Sequence, residues 1–481
     1  MICKNYPTDD ENVALTSRDL ANLHCIVRDN RYFLFEKDSL ASIEINQEMR
    51  DAVNKIKKEK SIESYNDPIK SNEVPIWKYV RILTELKRLK LFFPEKNNSF
   101  NLKLKPREQL TVFIQSSYRC NLKCRYCLAD YKKQQGDRQI PRSDYKKSID
   151  FVFSEYSNRK HLLFNFFGGE PLLEFELIRE LVPYIQDYSR ETKIPVSFAI
   201  NTNGTLLNCE KLEFFKKNNF YIGFSIDGPE AVHNTNRPLS IEGSSFQQLM
   251  DGINLAKKYY PITRLKASSI FDGHSLNISR TLDFTSQLGI PQVTIAKAKL
   301  SPDESGYIKP SMLPLLLGEQ EKIGRKILDD IKNRKMNCYI IPFHGILSLI
   351  LSQKSVPIRN CEAGENQVTI SGDGYIYPCY WMDGKHCHAI GSIRSGIDKQ
   401  KKQGWLQYIE KEEKKCLTCM AENICGHGCH ITRIFFNERD EVHCRLMRHR
   451  VEICIWINKS INNEDIDYVV KQCELLLRQG D

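Results

Sequence analysis

The chain has 481 residues, 27% of them charged, and a formal net charge of +10. Its composition is that of an ordinary globular protein, and its length predicts two or three domains. It has neither a run of about 18 apolar residues nor an N-terminal secretory signal, so we expect a cytoplasmic protein with no membrane partner. The sequence has no basic stripe with interleaved aromatic residues, so we expect no nucleic-acid partner. In a reducing compartment, 17 cysteines indicate metal ligands rather than a disulfide framework.

The first 105 residues contain strand and helix patterns but no cluster motif. Residues 32–36 and 40–45 alternate like two short strands joined by a turn. Residues 46–59 and 77–91 have the periodicity of amphipathic helices, and 66–75 form a polar loop. This small α+β arrangement resembles the winged-helix-like peptide-recognition module of enzymes that modify ribosomally made peptides. The resemblance implies that a leader peptide binds by adding a strand to the sheet edge; the alternative is an N-terminal cap without a binding role.

Three cysteines with the spacing C-x3-C-x2-C follow a strand-like apolar run at 110–115. They are Cys120, Cys124 and Cys127, and they lie past a strand end, where α/β folds place their ligand sites. Three thiolates can bind a 4Fe–4S cluster and leave its fourth iron open, by analogy with the open position of catalytic zinc sites. A zinc knuckle or chance spacing is the alternative. With Tyr126 before the last cysteine, the motif resembles the signature of the radical S-adenosylmethionine (radical SAM) superfamily.

Strand-like and helix-like segments alternate after this motif, which predicts a mostly parallel sheet. Six such units fit an α/β fold with an open (β/α)6 partial barrel, which is the core of radical SAM enzymes. The predicted strands are 110–115, 162–167, 196–201, 221–226, 265–270 and 293–296, and the predicted helices are 143–157, 177–189, 210–218, 246–258 and 279–288.

Glycine-rich and polar motifs follow the second, third and fourth predicted strands. Glycines let the backbone approach a ligand closely, and a glutamate can accept from an ammonium group. Each motif alone could be only a turn. In register with the cysteine loop, they resemble the S-adenosylmethionine-binding residues of radical SAM enzymes, with Gly-Gly-Glu-Pro on the methionyl amine. The cofactor-binding residues that this implies are Tyr126, Gly168, Gly169, Glu170, Pro171, Asn201, Asn203, Ser225, Asp227 and Arg237, with Lys266 and Ser268 as further candidates. Arg237 could also pair with a carboxylate, which the sequence does not identify.

A second group of cysteines begins at Cys361, with the pattern C-x12-G-x4-C followed by C-x2-C-x5-C-x3-C and a last cysteine. It resembles the seven-cysteine SPASM domain of radical SAM enzymes that act on peptides and proteins. The resemblance implies two auxiliary 4Fe–4S clusters, the first held by Cys361, Cys379 and Cys429 and the second by Cys416, Cys419, Cys425 and Cys444. Only three ligands of the first cluster match, so either Cys338 or Cys387 reaches in, or one iron is open.

These motifs predict an enzyme that abstracts a hydrogen from a ribosomally made precursor peptide with a leader segment, and forms a thioether or a C–C cross-link. It would use three 4Fe–4S clusters, S-adenosylmethionine and an electron donor such as flavodoxin or ferredoxin. The runner-up is an anaerobic sulfatase maturase. Such relatives carry an aspartate directly after the second auxiliary cysteine, where this chain has Tyr380, with Asp383 three residues further on. A zinc-binding nucleic-acid-binding protein is the alternative from another class.

The predicted domains follow the motifs in chain order. They are a peptide-recognition-like module (1–105), a radical SAM core (106–310), a linker helix with the SPASM domain (311–460), and a C-terminal helix (461–481).

Overall fold

The structure is a computed structural model that describes residues 15–59, 76–93, 108–127, 141–354, 361–410, 414–436 and 440–478. The loop predicted at 66–75 lies outside these residues. Among the described helices, none is both long enough and apolar enough to cross a bilayer.

The N-terminal part folds as a small α+β module with its own apolar core. Its elements are α1 (Ser17–Asn22), β1 (Leu23–Arg28), β2 (Arg31–Glu36), β3 (Ala41–Ile45), α2 (Gln47–Glu59) and α3 (Ile76–Arg88). The three strands form an antiparallel sheet in the order β1-β2-β3. The predicted strands and helices are confirmed, while α1 and β1 were not predicted. In β1 a histidine and a cysteine interrupt the apolar alternation, so the strand has no clear period-two signal.

The centre of the molecule is a parallel sheet whose six inner strands follow one another in chain order. The elements are β4 (Gln109–Ser117), α4 (Arg142–Glu155), β5 (His161–Gly168), α5 (Phe175–Thr192), β6 (Val196–Thr202), α6 (Cys209–Lys217), β7 (Tyr221–Ser225), α7 (Glu230–Asn236), α8 (Ser245–Tyr259), β8 (Leu265–Phe271), α9 (Ile278–Gln287) and β9 (Gln292–Lys297). The predicted α/β core with six βα units is therefore confirmed. Crossovers between parallel strands are right-handed, so strands added in one direction keep their helices on one face.

The two faces of this sheet differ in chemistry. The side chains that point toward the helices are apolar and fully buried, as at Val112, Phe164 and Phe224. The opposite face, called the inner face below, carries polar side chains near the carboxyl ends of the strands. In the strand register Asn201 lies beside Gly223, and Ser225 lies beside Ser268. The carboxyl ends of parallel strands are where α/β folds bind their ligands.

Both edges of the sheet are extended by later parts of the chain. After α10 (Leu313–Lys332), the short β10 (Tyr339–Ile341) pairs in parallel with β9. After α11 (Phe343–Ser352), β11 (Gln367–Ile370) pairs in parallel with β4. The cysteine-rich region is thus attached to the core sheet by β11, which lies beside the strand that leads to the cysteine triplet.

The remaining elements form the cysteine-rich region and its flanking helices. They are β12 (Tyr375–Tyr377), β13 (Gly391–Ser392), β14 (Gly396–Ile397), α12 (Lys399–Glu410), α13 (Lys414–Leu417), α14 (Glu422–Cys425), α15 (His430–Phe436), α16 (Glu441–Asn458) and α17 (Asn463–Arg478). The last three strands continue the sheet in antiparallel order from β11. The helix α17 lies within the C-terminal helix predicted at 461–481. The predicted domain limits are not tested by these contacts and stay predictions.

Candidate functional site

The cysteine triplet lies on the loop after β4, and a segment after α7 holds this loop in place. Three backbone hydrogen bonds join the two: the Lys123 amide donates to Pro238 (2.8 Å), the Arg125 amide to Asn236 (3.1 Å), and the Ser240 amide to Asn121 (2.9 Å). The segment that contains Arg237, a predicted cofactor residue, therefore supports the cysteine loop directly.

The two glycines at the end of β5 allow a close backbone contact with the same loop. The Gly169 amide donates to Ser117 at 2.7 Å, and the Glu170 amide donates to Arg119 at 2.8 Å. A Cβ atom on Gly168 would lie 2.2 Å from the Ser117 carbonyl oxygen, and one on Gly169 would lie 2.3 Å from the Arg119 carbonyl oxygen. Any larger residue would push the β4 end away, so these glycines are required by packing as well as by any ligand.

The Glu170 carboxylate joins the ends of β5 and β6. It is fully buried and accepts hydrogen bonds from the Leu172 amide (3.0 Å), the Thr202 hydroxyl (2.6 Å) and the Asn203 amide (2.8 Å). Burial raises the pKa of Glu170 to about 7, and the three donors oppose this rise. Pro171 begins the short 3₁₀ turn that follows. The predicted contact between Glu170 and an ammonium group stays a prediction; the carboxylate already has a structural role.

Two asparagines of the β6 end have different surroundings. The Asn203 side chain donates to the Asn121 side chain at 2.8 Å and lies 4.0 Å from the Cys120 sulfur. The Asn201 side chain lies on the inner face and donates to Asn165 at 3.0 Å. Asn203 therefore contacts the cysteine loop, whereas Asn201 remains on the surface where a cofactor would lie.

The carboxylate partner of Arg237 is Asp227, and both side chains are buried. The Arg237 Nε atom lies 3.1 Å from Asp227 Oδ2, and its guanidinium stacks 5.4 Å from the centre of the Tyr126 ring. The Tyr126 hydroxyl donates to Asp227, which also accepts from the Ile270 amide at 3.0 Å. These three predicted cofactor residues thus bind one another and fix the end of the cysteine loop, while Ser225 lies open on the inner face.

The thiols of Cys124 and Cys127 lie close enough to Cys120 to affect the pKa of its thiol. Burial raises the pKa of the Cys120 thiol to about 12, and the Glu170 carboxylate with the thiols of Cys124 and Cys127 adds to the rise. Within the described residues, no three His, Cys, Asp or Glu side chains converge on a single metal-ion position. A zinc ion needs such convergence, whereas the thiolates of an iron–sulfur cluster bind separate irons.

The four cysteines predicted to hold the second auxiliary cluster line one pocket. Cys416, Cys419, Cys425 and Cys444 surround it together with Glu422 and other residues of the same loops. Burial raises the pKa of the Cys425 thiol to about 12, and the other three thiols add to this rise. Four thiols that line one pocket without meeting at a single point fit a cluster in which each cysteine binds a different iron.

The three cysteines predicted for the first auxiliary cluster gather around Lys299. Its ammonium group donates to the Cys429 sulfur at 3.1 Å. Burial raises the pKa of the thiols of Cys361 and Cys379, and the positive charge of Lys299 opposes this rise. Lys299 was not predicted from the sequence. Its only sequence signal is its position two residues after the end of β9, at the ligand-binding edge of the sheet.

Neither candidate for a fourth ligand of the first cluster joins this group. Cys338 is buried, and the charged groups near its thiol are Lys326 and Asp330 of α10. Cys387 is exposed on the surface. Among the described residues, the set around Lys299 therefore consists of three cysteines.

Aromatic rings cover the inner face between the triplet and the first auxiliary site. The Tyr380 ring lies 5.0 Å from that of Phe113 and 4.7 Å from that of Phe167. The Asp383 carboxylate accepts a hydrogen bond from the Tyr118 hydroxyl at 3.0 Å. Tyr118 lies two residues before the first cysteine of the triplet. The residue after Cys379 thus faces the core sheet, and Asp383 ties the cysteine-rich region to the triplet loop.

Comparison with known proteins gives a consistent result. Residues 114–277 match the model of the radical SAM superfamily. The cysteine-type anaerobic sulfatase-maturating enzyme of Clostridium novyi (strain NT) is 32% identical over 344 residues, which cover 67% of this chain and 88% of that protein. The radical SAM cyclopropyl synthase TigE of Paramaledivibacter caminithermalis is 22% identical over 377 residues, which cover 73% of this chain and 75% of that protein.

Solved structures support the same fold. The structure described as native anSMEcpe with bound AdoMet and Kp18Cys peptide superposes with a TM-score of 0.60 at 20% identity. The match covers 100% of that chain and 73% of the present one. About a quarter of this chain therefore lies outside the similarity to that structure.

Proposed function

Because this chain belongs to the radical SAM superfamily and is homologous to the anaerobic sulfatase-maturating enzymes, we propose that it modifies a ribosomally made peptide. The proposed product is a thioether or a C–C cross-link in a precursor peptide with a leader segment. When bound, the cluster and S-adenosylmethionine supply one-electron chemistry that removes an unactivated hydrogen from the substrate. Membership of this superfamily replaces the alternative of a zinc-binding nucleic-acid-binding protein.

The observation that carries this proposal is the aromatic residue after Cys379. In the sulfatase maturases that the sequence resembles, this position holds an aspartate where a base is needed. Here Tyr380 packs against Phe113 and Phe167. Burial raises the pKa of this phenol further above its ordinary value near 10, so it is protonated at neutral pH. The nearest carboxylate along the chain, that of Asp383, lies three residues further on and accepts from the Tyr118 hydroxyl. A reaction that forms a cross-link does not require an aspartate at this position.

The N-terminal module supports a substrate with a leader segment. Within the described residues, β1 and β3 each pair only with β2, so both are edge strands. An extended peptide can add to such an edge through its main-chain hydrogen bonds. The module is joined to the rest of the chain by hydrogen bonds from the Asn423 side chain to the Lys37 carbonyl (3.0 Å) and to Asp38 (2.9 Å).

In this proposal each group of residues has a separate role. Cys120, Cys124 and Cys127 hold the cluster that binds S-adenosylmethionine, and the inner face around Asn201 and Ser225 lines the cofactor site. The buried Asp227 network fixes the loop. The two cysteine sets of the SPASM-like region hold auxiliary clusters, and a flavodoxin or ferredoxin supplies electrons in the cytoplasm.

Formylglycine formation on a sulfatase is the second candidate. The 32% identity to the cysteine-type enzyme of Clostridium novyi over 88% of its length favours it. It would require another group to serve in place of the missing aspartate.

The test uses protein reconstituted without oxygen, with S-adenosylmethionine and a reductant. We expect a precursor peptide encoded beside the gene to lose two hydrogens, as measured by mass spectrometry, and a sulfatase peptide to stay unchanged. The variant with Ala at Cys120, Cys124 and Cys127 is the inactive control. Its iron content should fall from about twelve to about eight per chain. Modification of the sulfatase peptide alone would establish the second candidate instead.

A further inference from the structure

We propose that Lys299 is a positioning residue for the first auxiliary cluster, where its ammonium group donates to the Cys429 sulfur and raises the reduction potential of the cluster. This inference rests on the proposed function, because it takes Cys361, Cys379 and Cys429 as ligands. It concerns how easily the cluster accepts an electron.

The contact of Lys299 is well defined. Its Nζ atom lies 3.1 Å from the Cys429 sulfur and 4.9 Å from the centre of the Trp381 ring. Lys299 is partly buried, and a cation over an aromatic face is held in place by the ring. Two independent contacts, one to a predicted ligand and one to the residue two positions after Cys379, therefore fix the ammonium group beside the cysteine set.

A neighbouring lysine provides a direct comparison. Lys297, at the end of β9, pairs with the Asp440 carboxylate at 2.8 Å. That carboxylate neutralises its charge locally, whereas the acceptor of Lys299 is the sulfur of Cys429. Lys299 thus directs a positive charge to the cysteine set, and Lys297 directs its charge to a carboxylate at the start of α16.

The expected direction of the effect follows from electrostatics. A reduced 4Fe–4S cluster carries one more negative charge than the oxidised cluster, so a nearby cation stabilises the reduced form more. Hydrogen bonds to the sulfurs and net local charge are known to set cluster potentials. Removal of the ammonium group should therefore lower the potential.

This placement matters for the electron balance of the proposed reaction. A thioether forms with the loss of two hydrogens from the peptide. One leaves as an atom that is taken up by the abstracting radical. The other would leave as a proton to solvent and one electron, and a cluster held by Cys361, Cys379 and Cys429 would supply an acceptor for that electron. A cation that favours the reduced cluster favours this last transfer.

The experiment measures potentials rather than turnover. In the chain with Ala at Cys120, Cys124 and Cys127, only the two auxiliary clusters remain, and each is followed by electron paramagnetic resonance during a redox titration. We expect Lys299→Met to lower the potential of one cluster and leave the other unchanged. Lys299→Arg, which keeps the charge and the donor, should stay near the unsubstituted chain. Lys297→Met is the matched control and should cause the smaller shift.

Several outcomes would overturn the proposal. One is an unchanged potential in Lys299→Met with full iron content, and another is an equal shift in Lys299→Met and Lys299→Arg. If Lys299→Met loads less iron, Lys299→Gln and Lys299→Arg are compared instead, and equal potentials in these two refute the role of charge. Absence of both auxiliary clusters from the unsubstituted chain would refute the proposed function as well, so the two failures are distinct.

Discussion

The substitution Gly169→Ala tests whether the contact between the end of β5 and the cysteine loop holds the triplet in place. The added methyl group would lie 2.3 Å from the Arg119 carbonyl oxygen, and this distance must open to at least 3.0 Å. The opening would disrupt two hydrogen bonds of 2.7 and 2.8 Å, from the Gly169 and Glu170 amides. Each is worth about 0.5–1.5 kcal/mol, and overpacking costs roughly 1–3 kcal/mol more. Since Arg119 precedes Cys120, the loop that carries the triplet absorbs this cost.

The assay is the iron content of protein reconstituted without oxygen, together with the rate of S-adenosylmethionine cleavage. We expect Gly169→Ala to lose about four of about twelve irons per chain and most of its cleavage activity. The matched control is Gly404→Ala in α12, where a Cβ atom would have no neighbour within 4 Å. Alanine is favoured over glycine in a helix by about 0.5–1 kcal/mol, so this control should keep its iron. Full iron content and normal cleavage in Gly169→Ala would refute the reasoning.

Three further predictions concern buried charges. Asp227→Asn leaves the Arg237 guanidinium without its counter-charge and should lower the free energy of unfolding by roughly 3–5 kcal/mol. The midpoint of urea unfolding should fall accordingly, and adding Arg237→Met to this variant should recover most of the lost stability. Burial lowers the pKa of His449, but ion pairs with two glutamates, Glu321 among them, raise it to about 9. The stability from these pairs should be complete below about pH 6.5 and lost as the pH rises through about 9. The midpoint of urea unfolding should therefore fall over this range, and it should fall less in His449→Gln. Lys37→Met should expose the module to protease and lower the iron content of the second auxiliary site, because it removes the lysine that pairs with the buried Glu422, a residue that lines that site.

The core strands were predictable because their apolar residues alternate. In β4 the buried residues Leu110, Val112 and Ile114 recur at every second position, and this alternation is visible in the sequence. The short strands β10 and β11 have three and four residues, too few to show a period. They form because neighbouring strands supply the hydrogen-bonding edges. Their positions therefore depend on the tertiary fold.

The candidate site was predictable only where the motif itself carries the chemistry. The cysteine spacings identified two groups of ligands without any structure. The pairing of Asp227 with Arg237 was not readable, because other carboxylates lie at similar sequence separations. Lys299 was missed because Cys429, the sulfur that it contacts, is 130 residues away. Contacts of this kind depend on which strand ends the fold brings together.

The attachment of the N-terminal module limits how a bound peptide could reach the triplet. Two ion pairs join the β1–β2 turn to α10: Arg28 pairs with Glu321, and Asp29 pairs with Arg325 at 2.9 Å. The β2–β3 turn is joined to the second cysteine pocket by the buried Lys37–Glu422 pair. Because the two turns lie at opposite ends of β2, the anchors restrain both ends of the sheet. A peptide paired with a free edge of this sheet would therefore have a fixed direction relative to the triplet. Delivery of the modified residue would depend on the length of peptide between leader and core.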